Sequence, residues 1–298
     1  MNHLVSIIMP TFNSETVIIK AIDSVISQSY SNWELIIIDN ESIDKTLDSV
    51  RNYGEKRIKI LKIKNNGIIA KSRNLGIRAS KGGLIAFLDS DDWWTENKLS
   101  ESILQIERGY DFVFHKLKIV NKSKKLLLTT PYHTRKIENS VFEDLLKYGN
   151  FIQNSSVVVK KYLLECVNFL SEDSELIAAE DYDCWLKISK ITNKYYCINT
   201  VLGYYFYDGN GANNLKNKEV YVEFLKNKYL KNPNIVYEGE LPIWVLYYDL
   251  RRNFLKKNYC GLEKAITDLS RRDIEFTMRV KISYMSIIIF FKKIWKNY

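Results

Sequence analysis

Short apolar runs punctuate the first 115 positions of the 298-residue chain: Val5–Met9, Leu35–Ile38, Ile58–Ile63, Leu84–Leu88 and Phe112–Phe114. They are rich in β-branched and aromatic residues and mostly apolar at consecutive positions, which suits strands covered on both faces of a parallel sheet. Between them the spacing is helical, at Val17, Ile18, Ala21, Ile22 and Val25, then across Thr46–Tyr53 and Ile68–Ala79. Strand–helix–strand repetition predicts a doubly wound α/β sheet, whose ligands sit outside the carboxyl ends of the strands. The loops after Met9, Ile38, Ile63 and Leu88 are therefore the places to search. Pro10 is expected to stop the first strand, and Trp93–Leu104 to be helical.

Beyond residue 115 the alternation weakens. Val120–Arg135 is polar and basic and reads as a surface excursion. Ser156–Val159 and Tyr195–Tyr207 read as strands flanking a helix over about Asp181–Lys190. From about Asn214 the pattern turns helical, at Val220–Leu230, Leu241–Leu255 and Leu262–Phe276. Ile282–Phe291 is mostly apolar and is followed by Lys292, Lys293, Trp295 and Lys296. That run is shorter than the roughly 20 residues a span requires. It reads either as an interfacial helix or as a final helix packed on the fold.

The composition, 46% hydrophobic and 27% charged with 12 Gly and 4 Pro, is globular and excludes a disordered tail or a collagen-like rod. Cys166, Cys184, Cys197 and Cys260 lack paired spacing, so neither a disulfide framework nor a zinc site is expected and a reducing compartment is. The opening MNHLVSIIMP has no basic segment before its apolar run and reads as a first strand, not a signal peptide. Residues 251–298 hold 12 Lys and Arg against 4 Asp and Glu, so +8 of the formal +9 lies there. Such a tail favours an anionic surface, a membrane leaflet or nucleic acid.

The chemistry concentrates in the loops. FLDSDDW sets Asp89, Asp91 and Asp92 around Ser90 at a strand's end, where mutual repulsion is relieved either by a hard divalent cation or by solvent and helix capping. Asp39 ends the second run, where a carboxylate can accept from a ribose or a base edge. Thr11 and Phe12 stand at the mouth of the first. No GxGxxG and no Gly-Lys-Ser/Thr loop is present, which argues against dinucleotide oxidoreductases and P-loop enzymes.

Together, VSIIMPTFNSE, ELIIIDNESIDKT after the Gln28–Ser29–Tyr30 stop, NNGIIAKSRNLGIRASKG and LIAFLDSDDW resemble glycosyltransferase family 2 enzymes of the GT-A fold, in order and spacing over about residues 4–94. The stretch from Ser155–Ser156 to Ser189, with Glu180–Asp181, resembles the acceptor half of the same family, extending the likeness to about residue 210. The fold class expected is thus α/β, a GT-A Rossmann-like nucleotide-binding sheet with a helical, basic C-terminal extension. Residues 1–213 would form the catalytic domain (1–115 binding nucleotide sugar, 116–213 the acceptor) and 214–298 a helical region with membrane-surface contact.

The resemblance implies that Thr11, Phe12, Glu15 and Asp39 hold the nucleotide, most often uridine. It also implies that Lys71 and Arg73 approach the diphosphate or frame that pocket, the alternative being a solvated basic helix face. Asn40 stands where many relatives have a second Asp and can still hydrogen-bond a base. Asp89, Ser90 and Asp91 face the nucleotide sugar, and Asp91 and Asp92 are the candidate ligands for Mn²⁺ or Mg²⁺. Relatives often place a His after the Tyr-rich strand; here Asp208 stands near that place as a substitute oxygen ligand, and His115 and His133 are expected to be structural or exposed. Asp181 would be the base that deprotonates the acceptor hydroxyl, with Glu180 orienting the acceptor. The alternative for this pair is charge placement at a helix N-terminus.

The function implied is inverting transfer of a sugar from a nucleotide, UDP foremost, to a lipid-linked saccharide in bacterial surface polysaccharide (O-antigen or capsule) synthesis. The location expected is the cytoplasm, at the inner face of the membrane, with no nucleic acid partner. Alternatives are a nucleotidyltransferase, or a non-catalytic protein that binds anionic membrane or nucleic acid through the basic tail.

Overall fold

The computed structural model describes residues 3–121, 134–138, 140–207, 220, 222–231, 241–271, 279, 282–283 and 286. Asp208, His133, most of the excursion after Val120 and most of Ile282–Phe291 lie outside the described residues. Two compact units divide the chain: Met1–Asp144 with Asn150–Leu225, and Leu145–Gly149 with Lys226–Tyr298.

The first unit is built on a mixed sheet of eight strands: β1 (Val5–Thr11), β2 (Trp33–Asp39), β3 (Ile58–Lys62), β4 (Leu84–Phe87), β5 (Trp93–Trp94), β6 (Phe112–Asn121), β7 (Val158–Lys160) and β8 (Tyr195–Tyr207), in the order β3-β2-β1-β4-β7-β6-β8-β5. Strands β3, β2, β1 and β4 are parallel, as the apolar runs predict. The doubly wound expectation stops there. The chain returns after β6 to lay the short β7 antiparallel between β4 and β6, and β8 then runs parallel to β6.

Two local expectations are corrected. Pro10 does not stop β1, which continues to Thr11. Pairing of β1 with β4 ends at Ile8, where the Ile8 carbonyl accepts from Leu88 N. Two residues on, Pro10 faces the side where no partner strand remains, so its missing N–H costs no ladder bond. Trp93–Leu104 is not one helix either. Trp93 and Trp94 pair with Tyr204 and Gly203 of β8, and the helix begins at Lys98.

The helices of this unit are α1 (Ile18–Ile26), α2 (Thr46–Arg51), α3 (Ile69–Ala79), α4 (Lys98–Glu107), α5 (Val141–Tyr148), which runs into the second unit, α6 (Lys161–Cys166) and α7 (Glu180–Ile188). Helix α1 buries Ile18, Ala21, Ile22 and Val25 in a core that includes Val5, Ile7, Met9, Leu35 and Ile37. Helix α3 lies so close on β1 and β2 that a Cβ on Gly76 would sit 2.7 Å from Ile38 Cδ1 and 2.9 Å from Ile8 Cγ2. This contact fixes the helix that carries Arg73. His115 is fully buried, its Nδ1 2.9 Å from the Lys116 carbonyl, and burial beside Lys98 pushes it down to about 3. A neutral core histidine is the result.

The second unit contains α8 (Ile243–Leu255) and α9 (Tyr259–Ser270), packed through Leu246, Leu250, Leu262, Ala265 and Leu269. Asn258 caps α9 by accepting from Gly261 N and donates to Asn253 Oδ1 at 2.9 Å. Among the described residues no helix is long and apolar enough to cross a membrane.

Candidate active site

The carboxyl ends of β1, β2 and β4 open into a cleft of about 570 Å³ lined by Thr11, Phe12, Asn40, Ser72, Asp89, Ser90 and Asp91, among others. Thr11 stands opposite Asp39 in the β1–β2 register, and its buried hydroxyl has no partner among the described residues. Phe12 is 56% exposed at the mouth. Asn40 donates its N–H to the Thr11 carbonyl and accepts from Asn65 N at 2.8 Å, joining the β2 and β3 loops. Asn65 in turn donates to Ser72 Oγ on α3. Asp39 is fully buried and lines a neighbouring cavity of about 460 Å³ with Lys62 and Lys64.

The Glu15 carboxylate accepts from Lys45 N at 2.9 Å, while Asn13 Oδ1 accepts from Ile43 N and Ser14 N donates to Thr46 Oγ1. These reciprocal bonds zip the β1–α1 loop to the start of α2, and Asn13 takes a left-handed φ of 47° to do so. Lys71 is half-buried on α3 and does not line the cleft.

The acidic loop divides its carboxylates by environment. Asp91 is exposed in the cleft. Asp92 is 1% exposed and accepts from Phe206 N at 2.9 Å, pinning the loop to β8. Burial and the neighbouring Asp91 and Asp89 push its carboxyl well above the usual range. Asp89 accepts from Arg73 at 2.8 Å and its N–H donates to Ser155 Oγ.

Arg73 is 4% exposed and its second nitrogen reaches Glu180 Oε1 at 2.5 Å. Turned by its donors, the Asn154 side-chain oxygen accepts from Arg73 Nε at 3.2 Å. One guanidinium thus holds carboxylates from the β4 loop and from α7, 91 positions apart in sequence. Glu180 and Asp181 open α7, entered through Ala178 at a strained φ of 67°. Asp181 is partly exposed, accepts from Tyr182 N at 2.6 Å, and faces Asn150 Nδ2 at 3.3 Å. Burial and the Glu180 charge raise its carboxyl to about 7, against the opposing pull of Arg73. An acidic cleft linked through Asp89, Arg73 and Glu180 to a carboxyl raised to about 7 suits transfer of a group to a hydroxyl.

The family description "Glycosyl transferase family 2" matches residues 6–154 of the chain. The chain belongs to glycosyl transferase family 2. It is a glycosyltransferase, and the nucleotidyltransferase and non-catalytic alternatives fall away. It is 32% identical over 198 residues (64% of this chain and 72% of the relative) to the E. coli "UDP-Glc:alpha-D-GlcNAc-diphosphoundecaprenol beta-1,3-glucosyltransferase WfgD". The fold matches S. aureus TarS 1–349 in complex with UDP-GlcNAc at a TM-score of 0.58 and 18% identity, over 88% of each chain. It also matches the mannosyltransferase PcManGT of Pyrobaculum calidifontis in complex with GDP-Man and Mn²⁺, at 0.57 and 15%, over 98% of this chain and 83% of that one. At such identities the likeness shows the fold, a mixed α/β fold of the GT-A type.

Among the described residues no group of three or more His, Cys, Asp and Glu is arranged to hold a metal ion. The oxygen donors of the acidic loop still fit a hard cation held by one or two carboxylates and completed by substrate phosphates, because the exposed carboxylate of Asp91 lines the cleft. Several contributors carried no signal readable from their type alone. Asn65, Ser72, Asn150, Asn154 and Phe206 are ordinary polar or aromatic residues until the fold assembles them.

Proposed function

We propose that the chain transfers a sugar, with inversion, from a UDP-linked donor to a lipid-linked saccharide in bacterial surface polysaccharide synthesis. The observation that carries this reading is the Asp89–Arg73–Glu180 bridge, which sets the acidic cleft beside a carboxyl raised to about 7 at Asp181. The specificity named for WfgD, UDP-glucose to GlcNAc-diphosphoundecaprenol, supports the donor and acceptor classes. The reaction would then run at the inner face of the membrane, where an anionic leaflet attracts the basic segment after residue 250.

In this scheme Thr11, Asn40 and Ser72 orient the nucleotide in the cleft and Phe12 covers its mouth. Asp39 shapes the floor of the neighbouring cavity. Asp91 would hold Mn²⁺ or Mg²⁺, whose chemistry when bound is to neutralise charge on the leaving diphosphate. Asp92 keeps the acidic loop in place through Phe206. Asp181 takes the proton of the acceptor hydroxyl. The oxygen attacks the anomeric carbon from the face opposite the diphosphate, and the bond between that carbon and the phosphate oxygen breaks, releasing the nucleoside diphosphate.

Thermal unfolding with UDP, GDP and CMP, each with Mn²⁺ and with EDTA, tests the donor reading. A nucleotide at about 100 times its Kd adds about 2.7 kcal/mol of stability, a shift of a few degrees for a chain this size. Stabilisation by UDP that requires metal and is lost in Asp91→Ala is expected. Stabilisation by GDP or CMP in its place, or none by any nucleotide in folded protein, would overturn the UDP assignment.

A further inference from the structure

Arg73 differs in placement from a residue that reaches a ligand. It is 4% exposed, does not line the cleft, and spends its fork on two carboxylates from distant parts of the chain. Asp89 belongs to the loop that lines the donor cleft, and Glu180 adjoins the proposed base. Asn154 and Ser155, on the turn before β7, brace the guanidinium and the Asp89 backbone respectively. A planar fork can hold two carboxylates in one geometry, whereas a lysine supplies a single mobile point charge.

We propose that Arg73 is a positioning residue that couples the donor loop to the catalytic base, holding Asp89 and Glu180 in one buried bridge so that the state of the donor loop is felt at Asp181. The inference rests on the reading of Asp181 as base. Its physical content is the balance of charge around that carboxyl. Glu180, on the same helix, disfavours ionisation of Asp181, and Arg73, on α3, favours it. Asn150 and Tyr182 contribute hydrogen bonds to the ionised form. The other charged groups on that helix, Asp183 and Lys187, pair with each other at 2.7 Å. Arg73 therefore does two things for Asp181: it offsets Glu180 and fixes where Glu180 sits.

The test reads Asp181 directly, through the ¹³Cγ titration of aspartate-labelled full-length protein, with the Asp181 signal assigned by its loss in Asp181→Asn. The wild-type midpoint is expected near 7. Glu180→Gln should lower it by about one pH unit or more, because the charge that disfavours ionisation is gone. Arg73→Gln in that same Glu180→Gln background should raise it again by a comparable amount. The double change removes both partners of the buried Arg73–Glu180 pair and leaves only Asp89, whose side chain is 28% exposed and can be solvated, so a folded protein is expected. Arg73→Lys keeps the charge and should hold the midpoint near wild type while kcat falls about 10-fold through loss of the fork. Asp89→Asn, made on the donor loop, should lower the midpoint as well.

The inference is overturned if the Arg73→Gln/Glu180→Gln midpoint stays within about 0.3 unit of Glu180→Gln alone. It is equally overturned if Asp89→Asn leaves Asp181 unmoved. Failure of the base reading looks different: Asp181→Asn would keep its activity whatever the titrations show.

Discussion

Asp181 gives the account its sharpest pH dependence. Its carboxyl is raised to about 7, foremost by burial and then by the charge of Glu180. A base works only when unprotonated, so activity must rise with pH through that value. The ionised fraction is about one half at pH 7, about one tenth at pH 6 and about one hundredth at pH 5. With saturating donor and acceptor, kcat should therefore climb close to tenfold per pH unit between about 5 and 6.5, then level off above about 8. Asp181→Asn preserves shape and hydrogen bonding to Tyr182 but cannot take the proton, and a loss of about 10²–10⁴-fold is expected. Release of nucleoside diphosphate, followed at fixed ionic strength across the range, reads both effects. A flat profile from pH 5 to 8, or an Asn variant within about tenfold of wild type, would refute the base assignment.

Further outcomes follow from other contacts. Asp91→Ala should abolish metal-dependent stabilisation by UDP. Asp92→Ala should cost about 1–3 kcal/mol in urea unfolding by stranding Phe206 N, and comparable stability losses in both variants would contradict the division of roles. Gly76→Ala forces a methyl onto Ile38 and Ile8; overpacking of about 1–3 kcal/mol should outweigh a helix-propensity gain of about 1 kcal/mol, read as a lowered urea midpoint. Asn13→Ala removes the acceptor for Ile43 N and a residue suited to left-handed backbone. Donor KM should rise several-fold with kcat nearly unchanged, and a fall in kcat alone would contradict the loop-zipper reading.

Much of the fold was legible because burial on both faces leaves a plain mark. Val5–Met9, Leu35–Ile38 and Leu84–Leu88 are apolar at every position but Ser6, and all became parallel strands of the sheet centre. The insertion of β7 was not legible. Its three residues, Val158–Lys160, look like any short apolar run, and antiparallel placement between β4 and β6 is decided by tertiary packing. Pro10 misled because proline forbids only a ladder bond that β1 does not make at that point. Trp93 and Trp94 followed their aromatic strand preference into a pair with β8, and the helix started five residues later than expected.

Within the site, residue type pointed to loops that the fold brings together at one cleft, but not to each side chain's contacts. Asp91 and Asp92 are adjacent and chemically identical in sequence; only burial and the Phe206 bond separate them. Glu15 has the chemistry to meet a ribose, and in the fold its carboxylate also accepts from Lys45 N at the start of α2, which nothing in its own loop announces. Arg73 was expected to approach the diphosphate or to frame its pocket. Its partnership with Glu180 spans 107 positions, and nothing local announces it.

The most direct test of the central claim is the stereochemistry of transfer. Full-length protein, Mn²⁺, UDP-glucose and a short-chain GlcNAc-diphospholipid are combined, and the anomeric proton coupling of the product is read by NMR. The account predicts a β-linked product from the α-linked donor, formed by wild type and nearly absent with Asp181→Asn. An α-linked product, or a β-linked product formed equally well by Asp181→Asn, would contradict it.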